Sequence, residues 1–224
     1  MRLRAAENNE RQAMLPRRFY DRDPRPVSRE LLGKVLVRET ASELLRARIV
    51  EVEAYLGEND LAAHSAAGRT ARNAVLFGPP GHAYVYFIYG NHYCLNVSCL
   101  PDGIAGGILF RALEPLTGAE AMARARGIPL DGRGGLRVLT SGPGRLAEAF
   151  GITRERDNGK DLTNPRSDLY IADDGYRARR VAATARIGIT KAASLPLRYI
   201  IADNEFVSGP KRLLADLKSA GERL

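Results

Sequence analysis

The chain has 224 residues, 45% of them hydrophobic, which suits a single globular domain with one sizeable core. No stretch approaches the roughly 18 uninterrupted apolar residues of a membrane-spanning helix, and the opening MRLRAAENNERQAM lacks the apolar segment of a secretory signal. A cytoplasmic protein with no membrane partner is therefore expected. The net charge is +8, and only Lys34, Lys160, Lys191, Lys211 and Lys218 among the cations are lysine. Arginine forks suit phosphate, but an arginine bias also follows from genome base composition, so charge alone leaves a polyanionic partner open.

Residues 1–14 are polar and without period, and are expected to form a flexible arm ahead of one domain over 15–224. After the Pro24 and Pro26 turn, Ser28 is placed to cap a short helix from Arg29 to Leu32 that Gly33 ends. Lys34 to Arg38 and Leu44 to Tyr55 have strand character. Alternation along RARIVEVEAYL sets Ile49, Glu51, Glu53 and Tyr55 on one face, and Arg48, Val50, Val52 and Ala54 on the other. Two carboxylates thus stand beside an aromatic ring, and alternation does not choose between them. Carboxyl groups that point the same way cannot readily straddle a sugar, which argues against a sugar glycosidase. The strand runs into a loop with Asn59, Asp60 and His64, all groups that orient or bind.

From Ala83 to Cys99 two strands flank Gly90-Asn91, a dipeptide type that closes a two-residue hairpin. Tyr84, Tyr86 and Ile88 share one face; Val85, Phe87 and Tyr89 share the other, with Tyr89 beside the tip. Such a tip residue serves either as an ordinary exposed tyrosine or as a wedge between stacked bases. On the return strand Tyr93, Leu95 and Val97 form an apolar face, opposite Cys94, Asn96 and Ser98. Cys94 and Cys99 point to opposite faces, which suggests buried, inert thiols and neither a disulfide nor a metal site. Arg111, inside the apolar strand Gly107 to Leu113, needs an anionic partner, structural or catalytic.

Thr117 with Glu120 has the spacing of a capping box for a helix through Arg126, and Ser141-Gly142-Pro143 opens a helix to Phe150 with Gly151 as its stop. The stretches 127–140 and 153–167 are loop-like. Val181 to Ile189 and Leu197 to Ala202 return as strands, and Lys211 to Ala220 as a closing helix. The fold class is α+β: a single compact domain with a mostly antiparallel curved sheet, a protruding β-hairpin and several short helices.

RIVEVEAYLGENDLAAHS, YVYFIYG, NHYCLNVS, LFRALEPL, SGPGRL and ARIGI, in this order, strongly resemble the alkyladenine (3-methyladenine) DNA glycosylase family. The resemblance implies an enzyme that flips a damaged purine from double-stranded DNA and hydrolyses its N-glycosidic bond, as a monomer and without a cofactor or metal. It implies Glu53 as the general base, with Arg111 and the main-chain carbonyl of Ile187 holding the attacking water. Tyr55, His64 and Tyr86 would line the base pocket, and Asn96 would crowd the amino group that marks guanine. Tyr89 would fill the gap in the stack, with Asn91 and Arg69 also at the DNA. No lysine or cysteine in these motifs serves as a covalent nucleophile, so an abasic site without strand nicking is expected. A non-catalytic nucleic-acid-binding module and a nucleoside hydrolase are the rival classes.

Overall fold

Among the described residues, runs of β-branched and aliphatic residues build eight strands. They are β1 (Val35–Glu39), β2 (Leu44–Tyr55), β3 (Ala83–Ile88), β4 (His92–Ser98), β5 (Gly107–Thr117), β6 (Leu169–Ala172), β7 (Val181–Thr184) and β8 (Arg198–Ile201). The computed structural model describes residues 13–88, 90–131 and 134–209. Within these the strands join one sheet in the order β3-β4-β5-β2-β1-β6, with β8 on β2 and β7 on β8, every pairing antiparallel. The α+β class and the mostly antiparallel sheet agree with the sequence.

Strand β2 organises the sheet. One edge lies along β5 from Arg46 to Tyr55; the other pairs first with β1 (Leu44 to Arg48), then with β8 (Glu51 to Glu53). Near the changeover the register to β5 slips twice. From Ile49↔Leu113 to Glu51↔Ala112 the extra residue is Val50 on β2, and from Glu51↔Ala112 to Val52↔Phe110 it is Arg111 on β5. A bulge re-aims the side chains beyond it. Accordingly Leu45, Ala47 and Ile49 are core residues before the slip, and Val50, Val52 and Ala54 after it. Ile49 therefore does not share the face of Glu51, Glu53 and Tyr55, contrary to strict alternation.

The main core covers one face of the sheet. Val85, Leu95, Val97, Ile108 and Phe110 meet residues of α2 (Pro24–Leu31), α3 (Ala119–Arg126) and α5 (Pro143–Ala149), with α1 (Arg17–Tyr20), α4 (Arg137–Thr140) and α6 (Arg154–Asp157) as short additions. Each fully buried aliphatic or aromatic side chain contributes about 1.5–3 kcal/mol, enough together to hold the strand phase and to turn the polar alternates the other way. Cys99 joins this core while Cys94 faces away from it, as alternation required.

Several local expectations are corrected. Helix α2 starts at Pro24, with the Asp23 carboxylate accepting from the Arg25 amide at 2.8 Å; Ser28 is buried inside the helix and caps nothing. Thr117 ends β5, and the next helix is entered through Gly118 in the left-handed region (φ +83), where a Cβ would stand 2.7 Å from the Leu44 carbonyl; no side chain caps it. Among the described residues the pairing of β3 with β4 runs from Ala83↔Val97 to Ile88↔His92. Helices α4 and α6 occupy stretches taken for loops, and β7 stops at Thr184 where a strand to Ile189 was expected. Tyr89, the Lys211 to Ala220 helix and most of the N-terminal arm lie outside the described residues.

Candidate active site

The face of the sheet turned from the core carries side chains of four strands: Tyr84 and Tyr86 from β3, Cys94 and Asn96 from β4, Leu109 and Arg111 from β5, and Tyr55 from β2. They border a cavity of about 710 Å³. Its remaining walls come from the segment carrying His64, the entrance to α5, and the strap containing Ile187. Gly57 (φ +84) turns the chain from β2 toward His64; a Cβ there would meet the Ala105 carbonyl at 2.0 Å, so only glycine fits. Asn73 ties the far end of that segment, donating to the carbonyls of His64 (2.8 Å) and Gly68 (3.0 Å).

Glu53 is fully buried behind the cavity wall formed by Tyr55, Arg111 and Ile187. Its Oε1 accepts from the Ile187 amide at 2.8 Å and lies 3.3 Å from Arg111 Nη1, while Oε2 accepts from the Tyr55 hydroxyl at 3.0 Å. Burial pushes its pKa up; Arg111, the Ile187 amide and the Tyr55 hydroxyl pull against that shift. Burial, and then the Glu53 charge, hold the Tyr55 phenol far above its ordinary range.

Glu51, two residues earlier, is occupied differently. Oε1 accepts from Arg198 Nε (2.7 Å), Arg111 Nε (3.0 Å) and the Ser208 hydroxyl (2.9 Å), and Oε2 accepts from the Ser208 amide (2.6 Å). Both oxygens are committed to protein donors, so this carboxylate anchors β8 and the following segment to β2. The donors of Glu53 differ in that Tyr55, Arg111 and Ile187 all border the cavity. Arg111, displaced by the β5 bulge, bridges the two, and its Nη1 also reaches the Ile187 carbonyl at 3.5 Å.

The aromatic wall is linked by contacts of its own. His64 Nδ1 lies 2.9 Å from the Tyr84 hydroxyl, and its ring meets the Tyr86 ring nearly edge-on at 4.4 Å. Burial, then the nearby Arg72 cation, lowers the His64 pKa, so the neutral ring is favoured. Asn96 is buried, with its amide donating to the Tyr84 carbonyl at 3.1 Å, which fixes how it fronts the cavity.

Of the residues singled out from sequence, Arg111, Ile187, Tyr55, His64, Tyr86 and Asn96 border this one cavity, and Glu53 lies behind its wall in contact with three of them. Asn91 and Arg69 are exposed and are not among the residues bordering it. A model of the methylpurine-DNA glycosylase family matches residues 18–205. The chain belongs to that family. A relative from Koribacter versatilis is 67% identical over 90% of this chain and 96% of its own. Relatives from Burkholderia lata (48%, 88% of this chain and 92% of its own) and Methanocella arvoryzae (46%, 83% and 89%) are also similar. All three are named, provisionally, as 3-methyladenine DNA glycosylases. With membership of the methylpurine-DNA glycosylases comes the reaction class, hydrolysis of an N-glycosyl bond in DNA.

In this glycosylase the sequence reading left several groups at the site without a role. Arg126 and Arg145 border the cavity, and the Arg72 guanidinium lies 6.0 Å from the centre of the Tyr86 ring. Arg186, adjacent to Ile187 in ARIGI, forms a fully buried ion pair with Asp60 and lies 4.6 Å over the Tyr55 ring. Its partner is 126 residues away in sequence, so no local spacing could have revealed the pair.

Proposed function

We propose that this chain flips alkylated or deaminated purines, 3-methyladenine and hypoxanthine among them, out of double-stranded DNA and hydrolyses the N-glycosidic bond with a water activated by Glu53. The observation that carries this reading is the surroundings of Glu53: a buried carboxylate beside a cavity, held by the Ile187 amide, the Tyr55 hydroxyl and Arg111.

The bond cannot be reached inside the base stack, and extrusion costs a few kcal/mol, least for lesions that pair weakly. Tyr55, Tyr86 and His64 offer aromatic surface to the extruded base, which favours electron-poor, alkylated purines. Asn96 meets the edge where guanine carries its extra amino group. A water between Glu53, Arg111 Nη1 and the Ile187 carbonyl gives its proton to Glu53 as it attacks C1′ of the deoxyribose. The carboxylate also stabilises the positive charge that develops on the sugar. Arg111 serves two ends, orienting the water and opposing the upward pull of burial on the Glu53 pKa. The products are free base and an abasic site, formed by a monomer without a covalent intermediate.

The decisive experiment incubates the protein with duplexes bearing hypoxanthine or 3-methyladenine, followed by hot alkali. Strand breaks that appear only after alkali, in lesion duplexes and not in undamaged ones, are the expected result. No breaks would leave a binding module; breaks before alkali would refute the monofunctional route.

A further inference from the structure

The strap that brings Ile187 to Glu53 lies between β7, which ends at Thr184, and β8, which begins at Arg198. Among the described residues, no main-chain to main-chain hydrogen bond holds residues 185–191. The Arg186 side chain makes the connections instead. Its Nη1 donates to the Ala54 carbonyl at 3.0 Å and to Asp60 Oδ2 at 2.5 Å; its Nη2 donates to Asp60 Oδ1 at 2.8 Å and to the Ala192 carbonyl at 3.4 Å. One planar group thus joins the end of β2, the loop after Gly57 and the far side of the strap, and it lies over the Tyr55 ring.

Asp60 is held to the same purpose. It also accepts from the amides of Ala62 (3.1 Å) and Leu56 (3.2 Å). Burial alone would raise its pKa, but the Arg186 fork and these amides lower it overall, so the pair is charged. A buried ion pair of this kind is a weak source of net stability compared with apolar packing. What two parallel N–H···O bonds supply is a fixed direction.

We propose that Arg186, locked by Asp60, is a positioning residue for base release: it fixes the strap so that the Ile187 amide meets Glu53 and the Ile187 carbonyl meets Arg111. The proposal rests on Glu53 being the general base. Around Glu53 stand Arg111 from β5, Glu51 and Tyr55 from β2, Cys94 from β4 and Arg186 itself. The Ile187 amide favours the ionised carboxylate, so loosening the strap favours the protonated one, and the rise of activity with pH moves to higher pH.

Arg186→Lys keeps the cation and removes the fork. Single-turnover release from a hypoxanthine duplex, measured across pH, is expected to fall by about 100-fold at its plateau, since small misplacements near the reacting groups cost that much. The acid-side midpoint is expected to rise by about one pH unit, the effect of losing a hydrogen bond to a charged group. Affinity for lesion duplex should stay near that of the unmodified protein. Asp60→Leu with Arg186→Met leaves no lone buried charge, so it provides a folded comparison if the lysine variant melts early, and the same two changes are expected. Folded variants with the unmodified rate and midpoint would overturn the proposal. Should the unmodified protein release no base, or Glu53→Gln release it normally, the reading of Glu53 fails instead, and that outcome is separate.

Discussion

Glu53→Gln tests the centre of the mechanism with almost no change in shape. The amide oxygen can still accept from the Ile187 amide, and the new NH2 can donate to the Tyr55 hydroxyl, which then accepts. Arg111 keeps its bond to Glu51 and is not left alone. In the proposed mechanism, what disappears is the capacity to take a proton from water and the negative charge that offsets the cation developing on the sugar. A positioned general base is worth about 100- to 10,000-fold, or about 2.7–5.5 kcal/mol of activation free energy. The Glu53 pKa is raised in the folded protein, so its ionisation opposes folding at neutral pH, and neutralising it removes that cost. The variant should therefore melt close to the unmodified protein and bind lesion duplex with unchanged affinity. The assay is single-turnover release of hypoxanthine with enzyme in excess, together with a binding titration of the same duplex. Release at the unmodified rate by a folded variant would refute the assignment.

Because a Glu53 that acts as the proposed base must be ionised, release should be lost as pH falls, with a midpoint above the ordinary glutamate value; a pH–rate profile with its midpoint at or below that value would contradict the burial argument. Asn96→Ala, which empties the space in front of guanine's amino group, should raise release of undamaged guanine relative to hypoxanthine, scored on matched duplexes. Tyr89→Ala, chosen from its position beside the hairpin tip, should weaken binding to lesion duplex far more than to single strands; equal weakening would argue against a wedge. Away from the cavity, Asp157→Ala removes the fully buried carboxylate that accepts from Arg38 Nη1 and Nη2 at 3.0 and 2.8 Å, leaving the buried guanidinium with Asp168 (3.1 Å) and the Phe150 carbonyl (3.2 Å). Losing those charged hydrogen bonds should cost about 3 kcal/mol, lowering the melting temperature by on the order of 10 °C, while release per folded molecule is unchanged.

Two carboxylates two residues apart on one strand end in different occupations because of what other segments bring to them. Ser208 and Arg198 saturate Glu51, whereas Glu53 meets donors that belong to the cavity wall. The difference lies in chain segments well over a hundred residues downstream.

Period-two alternation by itself determined much: the long β2, the paired β3 and β4, the division of Tyr84, Tyr86, Cys94 and Asn96 from Val85, Leu95 and Val97, and the α+β class. These follow from local chain geometry, since a strand that buries one face must send every second side chain there. The order of long motifs pointed to the family and to Glu53. The bulges at Val50 and Arg111 had no such signal, because a bulge is a property of two strands together, and they moved Ile49 into the core and Arg111 between two carboxylates. Short helices and the four-residue β6 escaped for a related reason: too few residues carry a period, and packing decides them. The Asp60–Arg186 pair and the saturation of Glu51 were likewise decided only by the tertiary structure, where groups far apart in sequence must satisfy one another once buried.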